Sequence, residues 1–387
     1  MRVLDIPNLL RAGCVCTSWY AAYSVVRCVR IPITDAAPCL LYSRAANDAD
    51  TATLHSPSGG VDFKVRVPAP MFRSRYVIGS GHGWVVAADE ASNLHTFNPL
   101  TGAQLDLPPV TGLYHVETSS DDQGRLLYNL YDDELGPDTP SVYTPRELRM
   151  LLYYHVHLSC SPSAGAECVI LLEHRPVSEH SYAALAMRDG LRSRRTRPYR
   201  GMVDGSIHAF DLSGPSPTAT TIIQKDALWN YPTSSYIVFA PWGDMLLVSR
   251  HTEARTLTRP LQVPVEHAHD VIDPCIESYT YEMQLHKVDI DDRKLVEVRS
   301  SDLRGHALFL GFNSAIFLST KDFPSLRPNC AYLMDDNSEM IILNMYGCRD
   351  VGIWNFETKT LESLADVHSV PPWLAWPPPI WITPSLS

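Results

Sequence analysis

One phrase recurs in degenerate form along the chain and limits what it can fold into: a strand, an Asn or Asp, a short polar turn, then another strand. It reads "LHTFNPLTGAQLDL" (94–107), "IHAFDLSGPSPTATTI" (207–222), "QLHKVDIDDRKLVEV" (284–298) and "VGIWNFETKTLESL" (351–364). With Asn98, Asp211, Asp289 and Asn355 as anchors, the spacings are 113, 78 and 66 residues. These are not one clean period, but they are compatible with units of about 40–50 residues in which some copies have worn away. Repeated antiparallel units predict a mainly β chain and a β-propeller, whose radial closure protects the sheet edges; a pair of β-sandwiches is the competing architecture. At about 50 residues per blade, six or seven blades fit.

Local patterning supports short strands and tight turns. Within 83–109, strands are expected at Trp84–Ala88, Leu94–Phe97 and Ala103–Leu107, with turns at Asp89–Asn93 and Asn98–Gly102. Residues 236–249 read as a hairpin around Pro241-Trp242-Gly243-Asp244, and 306–320 as another turning at Gly311–Ser314. Gly79, Gly81 and Gly83 in "GSGHGW" do not match a phosphate-loop spacing, and no helix pattern follows them; they fit a tight turn before the Trp84 strand. Three tryptophans in "PPWLAWPPPIW" (371–381) predict an extended final segment that closes the domain by burying Trp373, Trp376 and Trp381.

The first 29 residues differ in character. Asp5 can cap a helix whose first turn holds Ile6 and Pro7. Apolar residues then fall at Ile6, Leu9 and Leu10 and, after Gly13, at Val15, Cys16, Trp19, Ala22 and Tyr23, which is helical spacing on one face of two short helices. So short a stretch cannot bury that face alone and must pack on something.

Composition excludes several function classes. The formal net charge of −11 argues against nucleic acid or an anionic membrane as a partner, and no window approaches about 18 apolar residues in a row. Nine scattered cysteines, no Cys-x-x-Cys, no Asn-x-Ser/Thr and no hydrophobic leader suggest a reducing intracellular compartment, cytoplasm or nucleus.

At this point the residues resemble a known family. "LDIPNLLRAGCVCTSWYAAY" (4–23) resembles the second half of an F-box, the helical module that docks substrate receptors on the Skp adaptor of a cullin ubiquitin ligase. The phrases at 78–110, 236–250, 303–336 and 376–386 are similar, in order, to the plant F-box family that carries a KIB-type β-propeller. The resemblance implies a partial F-box-like segment over 1–29 followed by a propeller over 30–387. It implies a non-enzymatic substrate receptor holding a protein target, with no cofactor. Adaptor contacts would come from Ile6, Pro7, Leu9, Leu10, Val15, Cys16 and Trp19. The chain starts near the midpoint of a complete F-box, so the docking module is expected to be truncated. The alternative is a propeller that binds a partner but has lost adaptor docking, a decoy or decaying copy. Where the family runs a Trp-containing strand and a hairpin, 186–210 carries an arginine-rich stretch, so one blade is expected to be incomplete or rebuilt.

Other constellations have plainer readings. Arg188, Arg192, Arg194, Arg195, Arg197 and Arg200 suit a solvated loop, with nuclear import as the competing reading. His267 and His269 beside Glu266 and Asp270, or His155 and His157 on one strand face, fall short of the three or four convergent ligands a metal needs. The doublets Asp121-Asp122, Asp132-Asp133, Asp291-Asp292 and Asp335-Asp336 suit turns, because neighbours on a strand point to opposite faces. Neither Gly-x-Ser-x-Gly nor His-Glu-x-x-His occurs.

Overall fold

Each recurrent phrase folds as the last hairpin of its own sheet. The pairs are Leu94–Phe97 with Gln104–Asp106, Ile207–Asp211 with Thr218–Ile223, Ile276–Asp289 with Lys294–Glu297, and Gly352–Asn355 with Thr360–Ser363. At Asn98, Asp289 and Asn355 the anchoring side chain makes the turn. Asn98 Oδ1 accepts from the N–H groups of Leu100 (2.9 Å) and Thr101 (3.1 Å), and Asn355 Oδ1 from those of Glu357 (2.8 Å) and Thr358 (3.1 Å). Asp289 accepts from Asp292 N at 3.0 Å. A short amide or carboxylate thus satisfies N–H groups that the ladder abandons at the bend.

The computed structural model describes residues 12, 15–22, 37–43, 50–57, 60–131, 139–163, 168–175, 182–186, 199–201, 206–211, 218–224, 233–260, 263, 265, 271–346, 350–364 and 376–385. Among these, strands form seven sheets, the upper of the expected blade counts. Sheet 1 joins Ile380–Ile382, Cys39–Tyr42, Thr51–Ser56 and Val61–Arg66; sheet 2 holds Tyr76–Gly81, Trp84–Ala88, Leu94–Phe97 and Gln104–Asp106. Sheet 3 holds Val116–Ser120, Leu126–Leu130 and Ser141–Tyr143, sheet 4 Tyr153–Leu158, Val169–His174 and Tyr182–Ala186, and sheet 5 Tyr199–Gly201, Ile207–Asp211 and Thr218–Ile223. Sheet 6 holds Ser234–Phe239, Met245–Thr256, Ile276–Asp289 and Lys294–Glu297. Sheet 7 runs in the order Ile316–Ser319, His306–Leu310, Cys330–Leu333, Gly352–Asn355 and Thr360–Ser363; its second and third strands are parallel, whereas every other pairing is antiparallel. The hairpins expected at 236–249 and 306–320 are present at the anticipated turns.

Burial explains why some strands read as continuous apolar runs. Trp84–Ala88, Leu94–Phe97, Cys39–Tyr42 and Cys330–Leu333 are buried at every position, so each has neighbours on both faces. Of the final strands, Lys294–Glu297 is exposed except at half-buried Leu295, and Thr360–Ser363 alternates between exposed and half-buried, as the outer rim of a blade does. Apolar cores link neighbouring sheets. One unites sheets 1 to 4, another sheets 5 and 6, a third sheets 6 and 7, and a fourth joins sheet 7 to sheet 1 through Phe309, Tyr332, Leu40 and Trp381. The molecule is a β-propeller closed by its two ends.

Closure uses the tryptophan tail. Ile380–Ile382 pairs with Cys39–Tyr42, Trp381 sits edge-on to Phe309 (5.0 Å between centroids), and Trp376 stacks on Tyr76 (5.9 Å). Trp376 and Trp381 are buried; Trp373 lies outside the described residues. Strand Tyr76–Gly81 meets three other sheets. A Cβ at Gly79 would come within 2.3 Å of Val156 Cγ2 of sheet 4, and one at Gly81 within 2.8 Å of Ser314 Oγ. Ser80 exchanges backbone bonds with Phe312 and Ser314, while its hydroxyl donates to Trp381 O. Only Gly83, at φ +84°, serves the tight turn; Gly79 and Gly81 permit close approach of other strands.

Candidate functional site

The described part of the N-terminal segment forms a helix over residues 17–22, with Tyr20 N bonded to Cys16 O at 2.8 Å. Trp19 lies in this helix, and Val15 and Cys16 immediately precede it. These side chains are open: Val15 is 64 % exposed, Trp19 48 % and Tyr20 57 %, and Cys16 is exposed as a reduced thiol. By contrast, Trp84, Trp354, Trp376 and Trp381 are all at most 3 % exposed. Ile6, Pro7, Leu9 and Leu10 lie outside the described residues.

Inside the propeller, two charged clusters could resemble catalytic machinery. Arg250, 1 % exposed, points from sheet 6 toward the segments flanking strands Cys330–Leu333 and Gly352–Asn355. Its guanidinium donates to Asp336 Oδ1 (3.0 Å), Asp350 Oδ2 (2.8 Å), Met334 O (2.7 Å) and Thr280 Oγ1 (2.8 Å). Asp336 also accepts from Ser234 Oγ (3.0 Å) and Tyr236 Oη (2.7 Å), and Asp350 from Thr280 Oγ1. Burial alone would lower the Arg250 pKa, but Tyr236, Asp350 and Asp336 outweigh it and raise it well above its ordinary value. Burial, reinforced by Asp336, pushes the Tyr236 phenol up. Both carboxylates already accept several donors around a cation that cannot give up its proton. The cluster therefore pins sheet 6 to sheet 7 and has no group poised for proton transfer.

The second cluster centres on Arg75, which is fully buried and donates to Pro70 O (3.1 and 2.8 Å), Pro68 O and Gln104 Oε1 (3.3 Å) while lying 4.2 Å over the Phe97 ring. It also donates to His95 Nε2, so His95 is held neutral with its proton on Nδ1, toward the Asn93 carbonyl. Burial, then Arg75, push the His95 imidazole down to about 3, and burial lowers Arg75 to about 10. An unfolded histidine titrates near 6.5, so between about 6.5 and 3 the unfolded chain binds a proton that the folded one refuses. Stability from this site is complete above pH 6.5 and is lost as pH falls. Burial lowers His82, His174 and His286 in the same direction. His95→Gln should lose less stability than the wild type between pH 6.5 and 4 in urea titrations; equal losses would refute this account.

Only some of the remaining candidates lie among the described residues. His155 and His157 share a face, with ring centroids 4.5 Å apart, but His155 packs on Phe312. Among the described residues, no group of three His, Cys, Asp or Glu could hold a metal ion. His267, His269, Glu266, Asp270 and Asp132-Asp133 lie outside the described residues, as do all the run's arginines except Arg200, whose backbone pairs with His208. Asp121 caps its turn through the N–H groups of Gln123 and Arg125, both at 2.9 Å, and Asp292 sits in a turn beside Lys294. In the doublet Asp335-Asp336, Asp335 accepts from Asn337 N at 3.2 Å, as a turn carboxylate does, while Asp336 belongs to the Arg250 cluster.

The model of the KIB1-4 beta-propeller family matches residues 54–355, well over half of the chain. The chain belongs to that family. The match begins within sheet 1 and ends at Asn355, the last of the four recurrent anchors. No curated protein matches the chain. Among solved structures, a provisionally assigned 6-phosphogluconolactonase of Bacteroides uniformis is 14 % identical, with 92 % of this chain and 99 % of that one covered at a TM-score of 0.30. A similarly assigned protein of Bacteroides fragilis is 12 % identical (91 % and 97 % covered, TM-score 0.28), and a Lactobacillus plantarum protein 8 % identical (85 % and 95 %, TM-score 0.27). At such scores these likenesses carry no argument about chemistry. Among the described residues, no helix is long and apolar enough to cross a membrane.

Proposed function

We propose that this KIB1-4 family propeller is a protein-recognition subunit without catalytic activity, tethered through its N-terminal helical face to the Skp-type adaptor of a cullin ubiquitin ligase. The propeller would hold a protein target while other subunits transfer ubiquitin. The observation that carries the reading is the exposure of Val15, Cys16 and Trp19 in a chain that buries Trp84, Trp354, Trp376 and Trp381. A half-exposed tryptophan on a short helix cannot stabilise the propeller by burial, but it suits an anchor in a partner's pocket. The resemblance of residues 4–23 to the second half of an F-box supplies the kind of partner. The saturated carboxylates around Arg250 favour binding over acid–base chemistry.

The second reading is a propeller that binds a partner without recruiting a ligase. A pull-down of the intact protein with a purified Skp-type adaptor separates the two. Binding is expected for the wild type, with Trp19→Ala weakening it by about 30-fold, the effect of losing a hot-spot aromatic worth about 2 kcal/mol. Deletion of 1–29 should abolish it. No adaptor binding by the folded wild-type protein would leave the interaction-only reading.

A further inference from the structure

The hairpin of sheet 4 carries two cysteines at facing positions just beyond its paired strands. His157 faces Leu171 and Leu158 faces Ile170, so the same register sets Ser159 against Val169 and Cys160 against Cys168. Ser159 N donates to Val169 O at 2.9 Å, and Val169 N returns a bond to Ser159 Oγ at 2.9 Å. Cys160 and Cys168 therefore occupy the next, non-hydrogen-bonded site of the antiparallel ladder. Residues at such sites have Cα atoms about 4.5 Å apart and side chains close together, within the range that a disulfide spans. The Cys168 thiol donates to Cys160 O at 3.0 Å, which holds its sulfur over the opposite residue.

We propose that Cys160 and Cys168 form a reversible disulfide that staples the hairpin of sheet 4 when the chain meets an oxidising thiol pool. Both are reduced here; Cys160 is half-buried and Cys168 fully buried, so an external disulfide reaches Cys160 first. With glutathione disulfide as the oxidant, Cys160 loses its proton and its sulfur attacks one glutathione sulfur. The glutathione S–S bond breaks, and the first glutathione leaves as a thiolate that takes up a proton. Cys168 then loses its proton and attacks the Cys160 sulfur, releasing the second glutathione. Two protein thiols are oxidised by two electrons, and one glutathione disulfide is reduced to two glutathiones.

Burial, with the Cys160 thiol as neighbour, pushes the Cys168 thiol up to about 12, so the closing step is the slow one and quickens as pH rises. Sheet 4 supplies Val156, against which Gly79 packs, so the staple would stiffen a blade in contact with sheet 2.

The test treats the folded full-length chain with glutathione disulfide at pH 8.5, blocks remaining thiols, and reads the tryptic peptide that begins after Arg149 and contains both cysteines. The expected product has lost two hydrogens and gained neither label nor glutathione, and it reverts with dithiothreitol. Cys168→Ser should stop at a glutathione adduct on Cys160, and Cys160→Ser should leave Cys168 reduced. Closure of the wild-type bridge should be slower at pH 7 than at pH 8.5. In the oxidised protein the melting temperature should rise relative to the reduced form, and Cys160→Ser should abolish that rise. A peptide that keeps two labelled thiols, a wild-type adduct that never closes, or a bridge from either cysteine to another position would overturn the proposal.

Discussion

Arg250→Ala is expected to cost about 3–5 kcal/mol, which is a large share of the stability of a typical domain. The cost does not measure the attraction of one ion pair. Removing the guanidinium leaves Asp336 and Asp350, whose side chains are 8 % and 3 % exposed, as buried charges without a cation. It also strands the carbonyl of Met334 and loosens the contact between sheets 6 and 7. Chemical denaturation of Arg250→Ala beside a triple variant, Arg250→Met with Asp336→Asn and Asp350→Asn, isolates the cause. The triple variant should recover part of the loss, because it removes the orphaned charges while filling similar volume. An Arg250→Ala protein as stable as the wild type would mean that the cluster is not a structural pin.

Deleting 371–387 should remove cooperative unfolding altogether. The deletion takes away strand Ile380–Ile382, exposing the edge of Cys39–Tyr42, and empties the sites of Trp376 and Trp381. Each of these rings contributes on the order of 2–3 kcal/mol by burial, before the lost ladder is counted. Trp381→Ala is the finer test, because that chain retains its length. A cost of about 3–5 kcal/mol is expected from the cavity between Phe309, Tyr332 and the Cys39–Tyr42 strand. An unchanged melting temperature in either variant would mean that the ring is not closed by this tail.

What could be read along the chain was what depends on neighbours in sequence. A hairpin is decided by a few consecutive residues, so the turns at Asn98–Gly102, at Pro241–Asp244 and after Asn355 were legible. The tail's role was legible at Trp376 and Trp381, because large rings among prolines have few stable fates other than burial. The helix that carries Trp19 was visible as spacing, although only the fold determines that Trp19 stays half exposed.

The rest required partners brought from afar. Arg250 sits in an ordinary strand, and nothing near it announces two carboxylates 86 and 100 residues downstream. Gly79 and Gly81 read as turn residues because the groups that approach them, Val156 in a strand of sheet 4 and Ser314 in the hairpin turn of sheet 7, are far away in sequence. His95 reads as one polar residue in a strand until Arg75, twenty residues earlier, donates to it inside the core. Cys160 and Cys168 are only eight residues apart, yet the register of the hairpin, set by its apolar pairs, is what turns them toward each other. The sequence by itself determined the repeating unit, its turns and the segment that closes the ring, because those follow from local conformational preference and the burial of large side chains. The tertiary structure alone decided which buried charges meet, which glycines other segments pack against and which tryptophan stays half exposed, because these depend on distances between segments that no local pattern encodes.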